Sequence, residues 1–234
     1  MTRPKLSHDP AETVVLLHGL GRSGRSLALM EGALRAAGFG VVNVSYPSTQ
    51  APIEKLVAHV GDALAKCTQA RRIHFVTHSL GGILLRLWLS QNALPRLGRV
   101  VMLGPPNKGS ELSDVFGRLP GFRDLAGPAG AQLGAGPSSV PNALGPVAFE
   151  LGVIAGDRGA NPVSAALLAK PNDGAVTVES TKVAGMRDHI VLPTTHTFMM
   201  NTPLVIGQVI GFLREGRFEP GLTMGDVVRR ALRP

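Results

Sequence analysis

Val76-Thr77-His78-Ser79-Leu80-Gly81-Gly82 is the stretch that decides the fold. The run Ile73-His74-Phe75-Val76 enters it, and Ile83-Leu84-Leu85-Arg86-Leu87-Trp88-Leu89 leaves it. The first run is short, β-branched and aromatic, which predicts a buried strand. The second is long enough for a helix and apolar on most of its surface, which predicts a helix buried against a sheet. A serine at the apex of so sharp a strand-to-helix turn is a nucleophile elbow. The turn needs small residues around Ser79. Gly81 meets that need, and Gly82 eases helix-on-strand packing. Thr77 stands where a small residue is expected, which implies repacking behind the turn. The geometry lifts the Ser79 hydroxyl out of the sheet edge. It also aims the Leu80 N–H, at a helix N-terminus, toward any oxyanion formed on Ser79. The competing reading, a serine in an ordinary glycine-rich turn, accounts for S-x-G alone but not for strand, H-S-L-G-G and buried helix together.

Upstream, Val14-Val15-Leu16-Leu17 predicts a central strand that ends in His18-Gly19-Leu20-Gly21-Arg22-Ser23-Gly24. Glycines after a strand let backbone N–H groups approach a ligand closely. No Gly-Lys-Ser/Thr follows, so this is not a phosphate-binding P-loop. Gly19, Gly21 and Gly24 do give G-x-G-x-x-G. However, Ser45-Tyr46-Pro47 follows the next strand, Val41 to Val44, where a dinucleotide fold places an acidic residue, so that rival is set aside. Helical stripes follow at Ser26 to Ala37, with Gly38 as C-cap, and at Ile53 to Leu64, with Pro52 in the first turn. Arg99 to Leu103, Gly152 to Gly156 and His189 to Leu192 predict three more strands, and Val205 to Leu213 a covering helix after a Thr202-Pro203 cap. Alternating strands and helices demand a parallel sheet with helices on both faces.

Residues 104–147 break this rhythm with Gly-Pro pairs and one short helical stretch, Glu111 to Phe116. They follow a strand's C-terminal end, so they are expected as a small irregular cap on the Ser79 rim, the alternative being a plain surface insertion. Pro162 to Leu168 suggests another short helix. The domain expected is a single one spanning 1–234, with residues 215–234 as a basic tail holding one short amphipathic helix.

The formal net charge is +8, but the surplus is scattered and lacks the interleaved aromatics of a nucleic-acid platform, so no nucleic-acid partner is expected. A basic surface from composition bias is the preferred account. Peripheral contact with an anionic membrane, or attraction to acidic substrates, is the alternative. Cys67 is the only cysteine, which excludes an intramolecular disulfide and fits a reducing compartment. Residues 1–12 carry no apolar signal core and no stretch reaches membrane-spanning length, so a cytoplasmic location is expected. No metal-ligand cluster or cofactor motif is present in the sequence, and no cofactor is expected. Oligomeric state is not readable.

A nucleophile raised on such an elbow needs a base and an acid that orients the base, and in a parallel sheet all three must come from loops at the C-terminal strand ends. Ser79 follows the Ile73–Val76 strand, Asp173 in Asn172-Asp173-Gly174 comes after the Gly152–Gly156 strand, and His196 in Thr194-Thr195-His196 follows the last strand, in the chain order Ser, Asp, His. These features, with Leu17-His18-Gly19-Leu20 and Thr77-His78-Ser79-Leu80-Gly81-Gly82, resemble the α/β-hydrolase superfamily, and within it the bacterial lipase- and esterase-like group, over roughly residues 13–213. The resemblance implies Ser79 as nucleophile, His196 as general base and Asp173 as orienting acid. It also implies the Leu20 and Leu80 N–H groups as the oxyanion hole. Asp157, directly after the Gly152–Gly156 strand, is the alternative acid. Asp173 is preferred because Asn-Asp-Gly matches the lipase-like pattern and stands 23 residues before His196. His18 reads as a structural hydrogen-bonder of the oxyanion loop, and His78 is expected to point away from the reacting centre. The implied activity is hydrolysis of small-molecule or lipid carboxylic esters through an acyl-enzyme. Acyltransferase or thioesterase chemistry, or a non-catalytic lipid- or partner-binding role, are the alternatives.

Overall fold

The computed structural model describes residues 11–116, 122–159 and 168–231. Among these residues six strands form one sheet in the order β2-β1-β3-β4-β5-β6. They are β1 (Glu12–Leu17), β2 (Gly40–Val44), β3 (Arg72–His78), β4 (Leu97–Leu103), β5 (Leu151–Gly156) and β6 (Asp188–Leu192). Every adjacent pair is parallel, so all strands end on one rim. Leu17 pairs with both Val44 and Thr77, and His78 pairs with Leu103.

The helices divide between the two faces, and the strand alternation assigns each side chain to one of them. On one face Val14 and Leu16 pack with Leu27, Met30 and Leu34 of the first helical segment, a 3-10 turn (Gly24–Leu27) running into α1 (Ala28–Ala36). Val205, Val209 and Phe212 of a late helix, Pro203–Glu215, complete that layer. On the other face Val15 and Leu17 pack with α2 (Ile53–Leu56), α3 (Ala58–Leu64) and α4 (Leu80–Gln91). The single stripe expected from Ile53 to Leu64 is thus two short helices meeting at Val57. β1 and β5 are buried along nearly their whole length, which is why their sequences run apolar without alternation.

The region between β4 and β5 is more regular than its glycines and prolines predict. It holds α5 (Glu111–Phe116), as expected, and also α6 (Phe122–Ala131), kinked at Gly127, and α7 (Val140–Ala143). Ala129 and Leu133 are buried in the core, so tertiary packing has overridden the local breaker signals. Both ends of the insertion are strapped to α4 by Arg86. Its guanidinium donates to the Asn107 carbonyl and Oδ1, each at 3.1 Å, and to the Gly145 carbonyl at 2.6 Å. Arg86 is 4% exposed, and burial brings its pKa down to about 10.

The remaining described helices are α8 (Val178–Thr181), a 3-10 turn (Met199–Asn201), α9 (Pro203–Glu215) and α10 (Met224–Ala231). Thr202 stands at the α9 N-cap with Pro203 following, but its hydroxyl bonds the Phe198 carbonyl and Thr194 rather than the helix end. The helix suggested over 162–168 falls almost wholly outside the described residues. No helix among the described residues is long and apolar enough to cross a membrane.

Two stability consequences follow. Phe212 is fully buried, its ring centroid 4.9 Å from that of Phe218, and a Cβ on Gly152 would stand only 2.6 Å from it. The ring occupies space that β5 leaves open, so Phe212→Ala is expected to lower stability by about 3–5 kcal/mol in urea unfolding. At the β3–α4 junction Ser79 has φ 50° and ψ −119°, the one non-glycine residue at positive φ among those described. Such a backbone costs roughly 1–3 kcal/mol, so Ser79→Gly is expected to be about 1 kcal/mol or more stabler than Ser79→Ala in the same measurement.

Candidate active site

The turn at Ser79 is fixed by what surrounds it. The Ser79 N–H donates to the Leu103 carbonyl at 2.9 Å, anchoring the end of β3 to β4. A Cβ on Gly81 would stand 2.5 Å from the Leu17 carbonyl oxygen and 2.9 Å from that of His18. Only glycine lets the first turn of α4 lie this close to the exit of β1. Thr77, fully buried, faces the space that a Cβ on Gly82 would take, 3.2 Å from its Oγ1. The repacking that Thr77 implies is therefore supplied by Gly82. The Thr77 hydroxyl has no hydrogen-bond partner among the described residues.

His196 lies in the loop after β6, and Asp173 in the connection from β5 to β6. His196 Nδ1 donates to Asp173 Oδ2 at 2.8 Å. The His196 N–H also donates to the Asp173 carbonyl at 2.9 Å, so the two residues are joined through both backbone and side chain. Asp173 Oδ1 accepts the N–H groups of Ala175 and Val176 at 3.0 and 2.8 Å. This is the Asx-type turn that Asn-Asp-Gly favours, and it leaves Oδ2 to the imidazole. A carboxylate only accepts, so Nδ1 of His196 is the donor, and in the neutral ring this leaves the lone pair on Nε2. Gly104, at the end of β4, opens the space for the pair. A Cβ there would stand 3.0 Å from both Asp173 Oδ2 and His196 Nδ1.

Asp157 is placed differently. It follows β5, as its sequence position requires, but it lies on the surface 3.4 Å from the Arg158 guanidinium. The imidazole of His196 is bonded to Asp173 instead. Asp188 is at the opposite end of the sheet, where its carboxylate accepts the Phe218 N–H at 2.7 Å.

His78 departs from expectation. Rather than pointing away, its ring lies 4.8 Å from the His196 ring, and its Nε2 donates to the His196 carbonyl at 3.0 Å. Because Ser79 is the next residue, this contact ties the Ser79 turn to the His196 loop. Burial, reinforced by the neighbouring His196, holds the His78 pKa well below that of a free imidazole. His78 is thus a neutral spacer. The sequence signal for it was only its position before Ser79, which does not say which way the ring turns.

Leu20 and Leu80 flank the same rim. Neither N–H meets an acceptor among the described residues. Ser79 is 9% exposed, and its hydroxyl likewise forms no hydrogen bond among the described residues. α6 crosses above Leu20, where a Cβ on Gly130 would come within 3.1 Å of the Leu20 side chain. Two neutral donors, an unengaged hydroxyl and a free imidazole nitrogen on one rim form an arrangement suited to nucleophilic attack on a polarised carbonyl.

Comparison with known proteins agrees with this geometry at the level of fold. The Bacillus licheniformis lipase BlEst2 in its mature form superposes with a TM-score of 0.74 at 20% identity, over 90% of this chain and 96% of that one. Phospholipase PlaB from Legionella pneumophila gives 0.67 at 15% identity, over 94% of this chain and 61% of that one. The metagenomic carboxyl esterase MGS0156 gives 0.65 at 16% identity, over 95% and 75%. No curated protein matches the chain by sequence. The model of the alpha/beta hydrolase family matches residues 14–205, most of the length, and the chain belongs to that family.

Proposed function

We propose that the protein is a serine hydrolase of carboxylic esters working through an acyl-enzyme. The observation that carries this reading is the His196–Asp173 pair, bonded at 2.8 Å and tied through His78 to the strained turn that presents Ser79. In this mechanism the ester carbonyl enters beside Ser79, and His196 Nε2 takes the Ser79 proton as Oγ attacks. The Ser79–His196 hydrogen bond forms as substrate closes the site, as is common for catalytic contacts that are loose in the free enzyme. The Leu20 and Leu80 N–H groups receive the negative charge that develops on the carbonyl oxygen. His196 then returns its proton to the leaving alcohol, and water, activated by the same imidazole, releases the acid. Asp173 keeps His196 in the Nδ1–H tautomer and stabilises the imidazolium formed in each half-reaction.

The segment 104–147 acts as the cap in this reading. Its support is the packing of α6 on Leu20 and the anchoring of both ends by Arg86. The proximity of lipases and esterases in fold favours an ester of a small molecule or a lipid as substrate.

Ser79→Ala and His196→Ala are each expected to lower kcat on p-nitrophenyl esters by at least about 10³-fold. Undiminished hydrolysis by purified Ser79→Ala would refute the reading. The two acids are separable by the same assay. Asp173→Asn is expected to lose about 10³- to 10⁴-fold in kcat, through loss of the required imidazole tautomer, while Asp157→Asn stays within about twofold.

A further inference from the structure

The loop carrying Leu20 holds a second, buried histidine whose protonation is fixed by its neighbours. His18 is fully buried, stacked on Tyr46 with ring centroids 3.9 Å apart and planes 13° from parallel. The Tyr46 backbone N–H donates to His18 Nε2 at 3.1 Å. A backbone amide cannot accept, so Nε2 must carry the lone pair. The proton of the neutral ring is therefore on Nδ1. Nδ1 lies 2.8 Å from the Gly19 carbonyl oxygen, and with this tautomer it is the donor. Burial lowers the His18 pKa, which keeps the ring neutral and the assignment stable.

The Gly19 carbonyl belongs to the same peptide unit as the Leu20 N–H. A donor on the carbonyl fixes the plane of that unit and polarises its N–H. The preceding unit is pinned as well, because the Tyr46 hydroxyl donates to the His18 carbonyl in a short hydrogen bond. That same carbonyl faces the first turn of α4 at Gly81. Gly19 itself is pressed on the elbow, since a Cβ there would stand 2.6 Å from His78 Nδ1 and 3.2 Å from the Ser79 Cβ.

We propose that His18 is a positioning residue for the oxyanion hole. Held by Tyr46 in the Nδ1–H tautomer, it orients the Gly19–Leu20 peptide so that the Leu20 N–H faces the acyl oxyanion beside that of Leu80. This rests on the ester-hydrolase reading above and adds to it the device that sets one of the two donors. Neither His18 nor Tyr46 touches the reacting atoms in this account. Both act through the backbone between them and the substrate.

Two near-isosteric variants separate positioning from mere support. His18→Asn keeps an amide N–H near the position of Nδ1, whereas His18→Gln moves its polar end toward the position of Nε2, facing Tyr46. If His18 only supports Tyr46, His18→Gln is the better replacement. The proposal requires the reverse. With p-nitrophenyl esters, His18→Gln is expected to lose about 10²-fold in kcat, comparable to loss of one oxyanion donor, with KM within about threefold of the parent. His18→Asn should recover to within about tenfold of the parent kcat. Inhibition by an alkyl boronic acid, which forms a tetrahedral adduct, should weaken in step with kcat, while inhibition by the product carboxylate stays constant.

Equal kcat for the two variants, or a parent-like kcat for His18→Gln, overturns the proposal. Should both variants unfold, nitrogen-15 NMR of the parent's histidine rings decides. A His18 ring with its proton on Nδ1 and a bare Nε2 is expected between about pH 6 and 8. A ring protonated on Nε2 overturns the proposal too. Ser79→Ala run in parallel separates the two levels. If it stays active, the hydrolase reading fails. If it is inactive and the His18 pair behave alike, only the positioning role fails.

Discussion

The approach of Gly81 to the Leu17 and His18 carbonyls is the contact on which the rest of the architecture turns. β1 and β3 are neighbours in the sheet, and each sends its chain over the same rim into a glycine-rich turn. The two exits can coexist only if one of them lacks a side chain at the crossing. Once that condition is met, the turns carrying Leu20 and Leu80 leave the sheet side by side at one rim. The backbone at Ser79 absorbs the resulting curvature, which is why a serine occupies a conformation otherwise left to glycine. Parallel pairing then does the remaining work, since β5 and β6 deliver Asp173 and His196 to the same edge.

Much of this was legible in the residues. The apolar runs at Val14 to Leu17 and Ile73 to Val76 could be nothing but central strands, because a strand covered on both faces cannot alternate. Asn172-Asp173-Gly174 declared its turn through local chemistry, and the turn is what leaves Oδ2 of Asp173 unoccupied for His196. Local signals failed where the deciding contacts were distant in the chain. The glycines and prolines of residues 104–147 favour irregular backbone, yet burial of Ala129 and Leu133 against the core made helices worthwhile there. His78 was misread for the same reason, because the direction of its ring depends on the His196 carbonyl, 118 residues later. The tautomer of His18 depends on Tyr46, 28 residues away, and no pattern within the His-Gly motif reports it.

The histidines also illustrate how one side-chain type is given three tasks by its surroundings. His196 is partly open and paired with the Asp173 carboxylate. His78 and His18 are sealed from solvent and meet backbone groups at the nitrogens that are engaged, which favours the neutral ring in both. They differ in which nitrogen holds the proton. His78 must carry it on Nε2 to reach a carbonyl, and His18 on Nδ1 because an amide already faces Nε2. Only one of the three is therefore paired with a carboxylate, and the other two face backbone groups beside it.

Arg86 gives the molecule a modular character. A single buried cation gathers the carbonyls of Asn107 and Gly145, so the polypeptide leaves the scaffold and returns to it at one clamp. Closing a longer chain between two fixed points costs only about 0.6 kcal/mol for each doubling of its length. Lineages sharing this clamp could thus exchange, lengthen or trim what lies between its jaws while the sheet beneath is untouched. The length of that stretch is therefore set by what packs along it rather than by the sheet it leaves and rejoins.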